Sequence, residues 1–171
     1  MFKITTERPE HIEAIESLLD ASFGVDRQNK ISYCYRVGVN KVVPLCMIAS
    51  ADDQLVATIR YWPVAIGSTS SLLLGPVAVA DKHRNAGLGG KLIRHSLGRA
   101  AALGYRSAVL VGDHAYYNRF GFQPASSHGI VMPDENPTRV LALSLQANRY
   151  ALPSGSIGPW RPIRANAAVA A

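Results

Sequence analysis

Cysteine is scarce in this chain, and no apolar run approaches the length of a membrane span. Cys34 and Cys46 are the two cysteines among 171 residues, and they lack the short spacing of a metal or redox pair. We therefore expect two buried free thiols. A membrane helix needs roughly 20 consecutive apolar residues, and residues 1–7 lack the apolar stretch of a signal peptide. The sequence thus predicts a cytoplasmic protein that does not act at a membrane.

Metal-ligand patterns are missing as well. No two histidines have a ligand spacing such as His-x-x-x-His, and no cysteine lies beside them to complete a set. The sequence therefore predicts a protein without a metal centre. The histidines are scattered over the chain at His11, His83, His95, His114 and His128.

Acidic residues are few compared with basic ones. The chain carries 12 Asp and Glu against 18 Lys and Arg, and the basic excess falls within residues 61–171. The basic residues are not interleaved with aromatic ones as a single-strand binding surface requires, so we predict no nucleic-acid partner. A nucleic-acid binder stays an alternative that rests on charge alone. The charge better suits a small phosphorylated ligand, which several of these side chains could serve: Lys82, Arg84, Lys91, Arg94 and Arg119.

A glycine-rich turn between an apolar strand and a helix is the most informative segment. The predicted strand Ser71–Val79 leads into a turn that contains Gly87, Gly89 and Gly90, and a helical pattern follows. Glycines let a phosphate approach the backbone, and the first turn of a helix presents free N–H groups with the positive end of its dipole. The segment therefore predicts a phosphate-binding loop.

Two common nucleotide motifs do not fit this loop. A Walker A loop requires glycine where the chain has Asn85, and a Ser or Thr where it has Leu92. A dinucleotide-binding Rossmann turn would also need glycine in place of Leu92. The spacing thus disfavours both the P-loop and the Rossmann interpretation.

The loop fits a different pattern, Arg-x-x-Gly-x-Gly, in the residues Arg84-Asn85-Ala86-Gly87-Leu88-Gly89. Farther along, the aromatic pair Tyr116-Tyr117 is followed after three residues by Gly121-Phe122. In these two segments the chain resembles the GNAT superfamily of N-acetyltransferases, and it is most similar to a bacterial subgroup of predicted N-acetyltransferases. The resemblance extends over roughly residues 2–145, and the detailed match over residues 70–124.

This resemblance implies that acetyl-coenzyme A is the cofactor and that the loop holds its pyrophosphate. Pro76 cannot donate a ladder hydrogen bond, so its strand must bulge or part from its neighbour there. In the family, the pantetheine arm enters that gap and pairs with backbone groups of the strand. The resemblance assigns the following residues to the cofactor: Val77, Ala78, Val79, Arg84, Asn85, Gly87, Leu88, Gly89, Gly90 and Tyr117.

Tyr117 is the catalytic residue that the resemblance supplies. Its phenol would donate to the departing thiolate of coenzyme A, whereas we expect Tyr116 to be a core aromatic. No general base is evident from the sequence. Asp113 and His114 could each receive a proton through water, and each could instead cap the helix that starts there.

Apolar spacing predicts one mixed α/β domain over residues 1–146. The expected strands are residues 2–6, 43–50, 54–66, 71–79, 107–111 and 139–145, and the expected helices are residues 7–23, 29–37, 88–103 and 114–120. By resemblance this is the GNAT fold, a mostly antiparallel sheet with splayed central parallel strands, flanked by helices. The prolines and glycines of residues 147–171 predict an irregular tail packed on or near the domain. Trp160 in this tail could contribute to a homodimer contact.

Acetyl transfer to a primary amine is the function that these observations predict. The amine, on a small molecule or a peptide, would attack the thioester of acetyl-coenzyme A directly. The alternative is a non-catalytic acyl-coenzyme A sensor or interaction module that keeps the fold. Release of coenzyme A in the presence of amines separates these two hypotheses.

Overall fold

A sheet with helices on both faces forms the described part of the chain, residues 1–160 of a computed structural model. The strands are β1 Lys3–Thr6, β2 Met47–Ala51, β3 Gln54–Ile66, β4 Thr69–Val79, β5 Ser107–Val111, β6 Gln123–Pro124, β7 Ile130–Val131, β8 Val140–Ser144 and β9 Gly155–Pro159. The helices are α1 Ile12–Phe23, α2 Ile31–Cys34, α3 Leu88–Ala102 and α4 His114–Tyr117. Within these residues, no helix combines the length and the apolar character that a membrane crossing requires.

Along the main path of the sheet, neighbouring strands run antiparallel except at one central pair. The strand order on this path is β1-β2-β3-β4-β5-β8-β6. Strands β4 and β5 are parallel, with Leu72 opposite Ala108 and Leu73 opposite Val109. The prediction of a mostly antiparallel sheet with central parallel strands is confirmed.

Two helices cover the two faces of the sheet, because strand side chains alternate in direction and a bulge at Gly75 and Pro76 shifts this alternation by one residue within β4. Leu74 of β4 is buried in one cluster with Leu88 of α3. Ala78 of the same strand is buried in another cluster with Ile15 and Leu19 of α1. The domain therefore has three layers, with α3 and α1 on opposite sides of β4, as the apolar pattern predicts.

Strand β4 carries the irregularity that Pro76 predicts. Its register with β3 shifts between Ile59 and Tyr61, where β4 has one more residue than its partner, and Gly75 and Pro76 lie in this bulge. On the other side, the pairing between β4 and β5 ends at Leu73. In the described chain, the last residues of β4 thus have no strand partner on that side, and the two central strands part.

The expectation of an irregular tail is wrong for β9. This strand pairs antiparallel with the end of β3, with Ile157 opposite Ile66, and parallel with β7. Because β2 pairs with β3 only as far as Ile59, the end of β3 would otherwise be an open sheet edge. Residues 161–171 of the predicted tail lie outside the described residues. The boundary between residues 146 and 147 stays a prediction, as does a dimer contact through Trp160.

Other predicted elements are shorter than expected. The helix predicted over residues 7–23 begins at Ile12, after a 3-10 turn over Pro9–His11. Residues 43–45 form a 3-10 turn before β2, because Pro44 has no N–H to donate to a strand ladder. The helix predicted over residues 29–37 shrinks to the single turn of α2. In that segment the core contacts come from Ile31 and Tyr35, so little burial is available to extend the helix.

One cysteine prediction is confirmed and the other is wrong. Cys46 is a buried free thiol, and burial raises its pKa to about 11. Cys34 is also free but exposed, because it ends the short helix α2 at the surface. At neutral pH the Cys46 thiol is therefore protonated and unreactive.

Candidate active site

A cleft of about 570 Å³ lies where the end of β4, the turn before α3 and helix α4 come together. We call it the loop cleft. The structure brings every residue of the predicted cofactor set to its walls, from separate segments of the chain. These residues are Val77, Ala78, Val79, Arg84, Asn85, Gly87, Leu88, Gly89, Gly90 and Tyr117.

The turn before α3 has the backbone of an anion-binding loop. Asn85 and Gly87 have positive φ angles of 66° and 71°, and Gly87 is the N-cap of α3. The first helical hydrogen bond runs from the Lys91 N–H to the Gly87 carbonyl at 3.0 Å. The N–H groups of residues 88–90 precede it and have no acceptor in the helix, so they are available to an anion. The first turn contains no acidic side chain that would repel one.

Gly89 keeps the cleft open beside this turn. A Cβ atom at Gly89 would lie 3.4 Å from the Oη atom of Tyr116 and 3.4 Å from Cγ2 of Val79. A Cβ atom at Gly90 would lie 3.3 Å from Nη1 of Arg94. All of these residues line the cleft, so side chains at the two glycines would occupy its space.

Three arginines give the loop cleft a positive wall. The guanidinium carbon of Arg94 lies 5.1 Å from the centre of the Phe120 ring, and that of Arg119 lies 4.7 Å from the Tyr116 ring. Arg84 lies on the loop itself and forms a 3.0 Å ion pair with Asp81. The arrangement suits a ligand with several phosphates. Lys82 and Lys91, which the sequence also suggests, are not among the lining residues.

Tyr117 lies between the loop cleft and a second cavity of about 270 Å³. We call this second cavity the inner chamber; its walls include residues 75–77, residues 111–113 and the two tyrosines of helix α4. Val77, Tyr116 and Tyr117 line both cavities. The two cavities thus meet at the place where β4 and β5 part.

The surroundings of Tyr117 keep its hydroxyl protonated. Its ring packs edge-on against Tyr116 and Phe122, with centroid distances of 5.0 and 5.9 Å. Burial raises the pKa of Tyr117 to about 12, Tyr116 adds to this shift, and Arg139 opposes it. The phenol is therefore a hydrogen-bond donor at neutral pH.

Tyr116 is not the core aromatic that the sequence suggests. It is 37% exposed. Adjacent residues on a helix point in different directions, so Tyr116 and Tyr117 cannot both face the core from the single turn of α4. Tyr116 faces the cavities instead and carries Arg119 on its ring.

Asp113 caps helix α4. Its carboxylate accepts the N–H of Ala115 at 3.0 Å, which confirms the capping alternative for this residue. Asp113 also lines the inner chamber, whereas His114 lines none of the cavities described here. A role for either residue as general base stays a prediction.

A third cavity, of about 310 Å³, adjoins the inner chamber at Arg36 and Pro76. We call it the outer groove; α1, α2 and β3 supply its other walls, which include Tyr33 and Trp62. The sequence offers no signal for Arg36, because a single arginine after a short helix looks like a solvated side chain. Its position depends on strands that are distant in the chain.

Comparison with known proteins identifies the family. Residues 44–124 match the family model described as an acetyltransferase (GNAT) domain. The chain is 31% identical over 130 residues to the uncharacterized N-acetyltransferase YhbS of Escherichia coli K12, covering 74% of this chain and 77% of that protein. The chain belongs to the GNAT acetyltransferase family.

Two solved structures are similar over nearly the whole chain. The GNAT family N-acetyltransferase YhbS of Escherichia coli, in complex with CoA, has a TM-score of 0.80 and 25% sequence identity, covering 91% of this chain and 88% of that one. A GNAT family acetyltransferase from Brucella melitensis, in complex with acetyl-CoA, has a TM-score of 0.72 and 26% identity, covering 94% and 96% of the two chains. The mixed α/β sheet described above is thus the GNAT fold.

Proposed function

We propose that this protein transfers the acetyl group of acetyl-coenzyme A to a primary amine. Acetyl-coenzyme A binds in the loop cleft and the amine binds in the inner chamber. The observation that carries the proposal is the position of Tyr117 in the shared wall of these two cavities, where β4 and β5 part. The complexes of similar proteins with CoA and acetyl-CoA support the choice of cofactor.

The residues of the loop cleft fit the parts of this cofactor. The free N–H groups at the start of α3 and the side chains of Arg84, Arg94 and Arg119 face the phosphates. The backbone at the end of β4, residues 77–79, has no partner on its β5 side and is available to the pantetheine amides. Tyr117 then lies near the thioester.

Acetyl transfer requires a neutral amine, a stabilised oxyanion and a protonated leaving sulfur. The amine nitrogen attacks the thioester carbonyl, the carbon–sulfur bond breaks, and the products are an acetamide and coenzyme A. One preorganised backbone N–H from the end of β4 would lower the barrier by about 3 to 4 kcal/mol. The Tyr117 phenol donates its proton or a hydrogen bond to the sulfur.

The proton of the attacking amine leaves through water in this proposal. Asp113, the acid that lines the inner chamber, already accepts the N–H of Ala115. The proposal places this reaction in the cytoplasm.

Ligand binding and turnover test the proposal separately. Acetyl-coenzyme A should raise the melting temperature in proportion to the logarithm of its concentration. A panel of primary amines should then release free coenzyme A, detected with a thiol reagent. Absence of a melting shift at about millimolar ligand would contradict the cofactor assignment. A shift without turnover of any amine would instead support the non-catalytic sensor.

A further inference from the structure

Arg36 lies at the junction of the inner chamber and the outer groove, whose walls it shares. Its Nε and Nη1 atoms are shielded from solvent and have no hydrogen-bond partner within residues 1–160. Buried donors in proteins are nearly always paired, because an unpaired one costs its full desolvation energy. The other unpaired atoms of this kind in the described chain, Thr58 Oγ1 and His114 Nε2, belong to residues outside these cavities.

Aromatic rings hold the Arg36 guanidinium in place. Its central carbon lies 3.9 Å from the centre of the Tyr33 ring and 4.8 Å from that of Trp62. Stacking of this kind fixes the plane of the group and leaves the N–H donors on its edge without a partner in the described chain. A Cβ atom built on Gly75 would lie 3.8 Å from Nη2, so this edge reaches the bulge in β4.

The carboxylates nearby are already paired with other cations. Glu16, the acid that lines the outer groove, accepts hydrogen bonds from Arg27 and Arg60. Three carboxylates and three cations make up this network, so Arg36 is a positive charge in excess of it. The further pairs are Asp20 with Arg27, and Glu7 with Arg60 and Lys41.

The inner chamber has the same excess of positive charge. Lys30, Arg36 and Arg139 line it together with one acid, Asp113, whose carboxylate caps α4. Burial lowers the pKa of Arg36, Tyr33 opposes this shift, and the nearby guanidinium groups add to it. An anion bound at Arg36 would relieve this repulsion.

We propose that the acceptor is a small primary amine that also carries a carboxylate, and that Arg36 binds this carboxylate while the amine points toward Tyr117. The inference rests on the proposed function. A planar guanidinium with a free edge matches the geometry of a carboxylate and can donate two parallel hydrogen bonds to it. The positive surroundings also disfavour an ammonium ion, which helps the bound amine to become the neutral nucleophile.

Paired probes test this substrate class. The acceptors are ω-amino acids from glycine to 6-aminohexanoate, each with its own carboxamide, and the readout is kcat/KM for coenzyme A release. We expect at least one acid to exceed its amide by about tenfold or more, the effect of one charged hydrogen bond. Glycylglycine and its C-terminal amide show whether a peptide terminus is also accepted. Equal rates for every acid and its amide would overturn the proposal.

Variants show whether Arg36 is responsible for the preference. Arg36→Gln should reduce the ratio of kcat/KM for the acid to that for its amide to near one. Arg36→Lys keeps the charge but loses the planar pair of donors, so it should retain part of this preference. The matched control is Arg106→Gln, since Arg106 also stacks on an aromatic ring, at 3.9 Å from Tyr150, but lines neither cavity. A purely structural role for Arg36 would lower the rates of acids and amides alike and contradict the proposal.

Two further measurements make every outcome decisive. The melting shift with acetyl-coenzyme A measures binding in the loop cleft, so its absence would contradict the proposed function. A normal shift without a preference for acids over amides would contradict only the carboxylate site. If no probe is acetylated, fluorescence of Trp62 in a Trp160→Phe background reports binding directly. Quenching by 6-aminohexanoate and not by its amide would support the site, and no response to any acid would overturn it.

Discussion

The ring of Tyr117 lies directly over Gly112, at the point where β5 ends. A Cβ atom on Gly112 would come within 2.5 Å of Cε2 and 2.9 Å of Cδ2 of Tyr117. These distances leave no room for a methyl group, so the ring can keep its present position only while residue 112 is glycine. Gly112 therefore fixes the position of the proposed proton donor, Tyr117, although it takes no part in the chemistry.

Gly112→Ala should therefore displace Tyr117 and lower kcat, by up to about 100-fold, the cost of a misplacement near 1 Å. The affinity for acetyl-coenzyme A should change little, because the phosphate-facing residues are untouched. Stopped-flow turnover and calorimetric binding measure the two quantities. Gly98→Ala is the matched control, since Gly98 lies in α3 with open space around its Cβ position. Equal kcat values for the two variants would show that the ring is not held by Gly112.

Tyr117→Phe removes the hydroxyl while keeping the ring. Because the group acts on the leaving sulfur, kcat should fall by about 100-fold with acetyl-coenzyme A affinity largely preserved. Tyr150→Phe serves as the control, because Tyr150 is exposed and lines neither the loop cleft nor the inner chamber. Turnover of the Tyr117→Phe variant at the full rate would remove Tyr117 from the mechanism.

The pH dependence of kcat gives a second view of the same group. The protonated phenol is the active form and is lost as the pH rises through its pKa, which burial raises from 10.0 to about 12. No fall in kcat due to Tyr117 should therefore occur up to a pH of about 10.5, where an ordinary tyrosine would be mostly ionised. The check is a pH profile of both wild type and Tyr117→Phe. A falling limb near pH 10 that disappears in the variant would contradict the shift.

Gly89→Leu should block the loop cleft, because even a Cβ atom there already approaches Tyr116 and Val79. We expect the melting shift with acetyl-coenzyme A to disappear, while the melting temperature without ligand changes only modestly. Gly98→Leu places the same side chain on the same helix in open space and should retain the shift. Binding of acetyl-coenzyme A to Gly89→Leu with wild-type affinity would argue against this location for the phosphates.

Glu7→Gln tests the ion-pair network beneath the outer groove. Arg60 and Glu7 are both buried and share two hydrogen bonds of 2.8 Å, so loss of the carboxylate leaves a buried guanidinium partly unpaired. Urea denaturation should show a loss of about 3 kcal/mol or more. Glu10→Gln is the control, because its 3.8 Å contact with Arg8 lies at the surface and should leave stability nearly unchanged. Equal stability of the two variants would contradict a structural role for the network.

Local chemistry made the loop cleft predictable from the sequence. Gly87 adopts a positive φ that glycine tolerates, and Gly89 leaves space beside the turn because it has no side chain. The apolar runs of β4 and β5 are long enough to indicate buried strands. Pro76 likewise predicts the bulge, because it lacks the N–H group that a regular strand residue donates to its neighbour. Each of these signals lies within the segment that it shapes.

Features that depend on distant partners could not be predicted in this way. Gly155 and Gly158 look like chain breakers, yet β9 forms because the end of β3 offers an unfilled edge. Arg36 has no local sequence signature, because Trp62, which holds its guanidinium, and the bulge beside it lie in strands that are distant in the sequence. Both depend on contacts between segments far apart in the chain.

The late strand β9 has a practical consequence for anyone who shortens this protein. The matched family domain ends at residue 124, and a truncation guided by that limit, or by the last predicted strand, would discard Gly155–Pro159. The end of β3, residues 64–66, would then expose unpaired amide and carbonyl groups. Such an open strand edge promotes aggregation with neighbouring molecules. Shortened versions should keep the chain through residue 160.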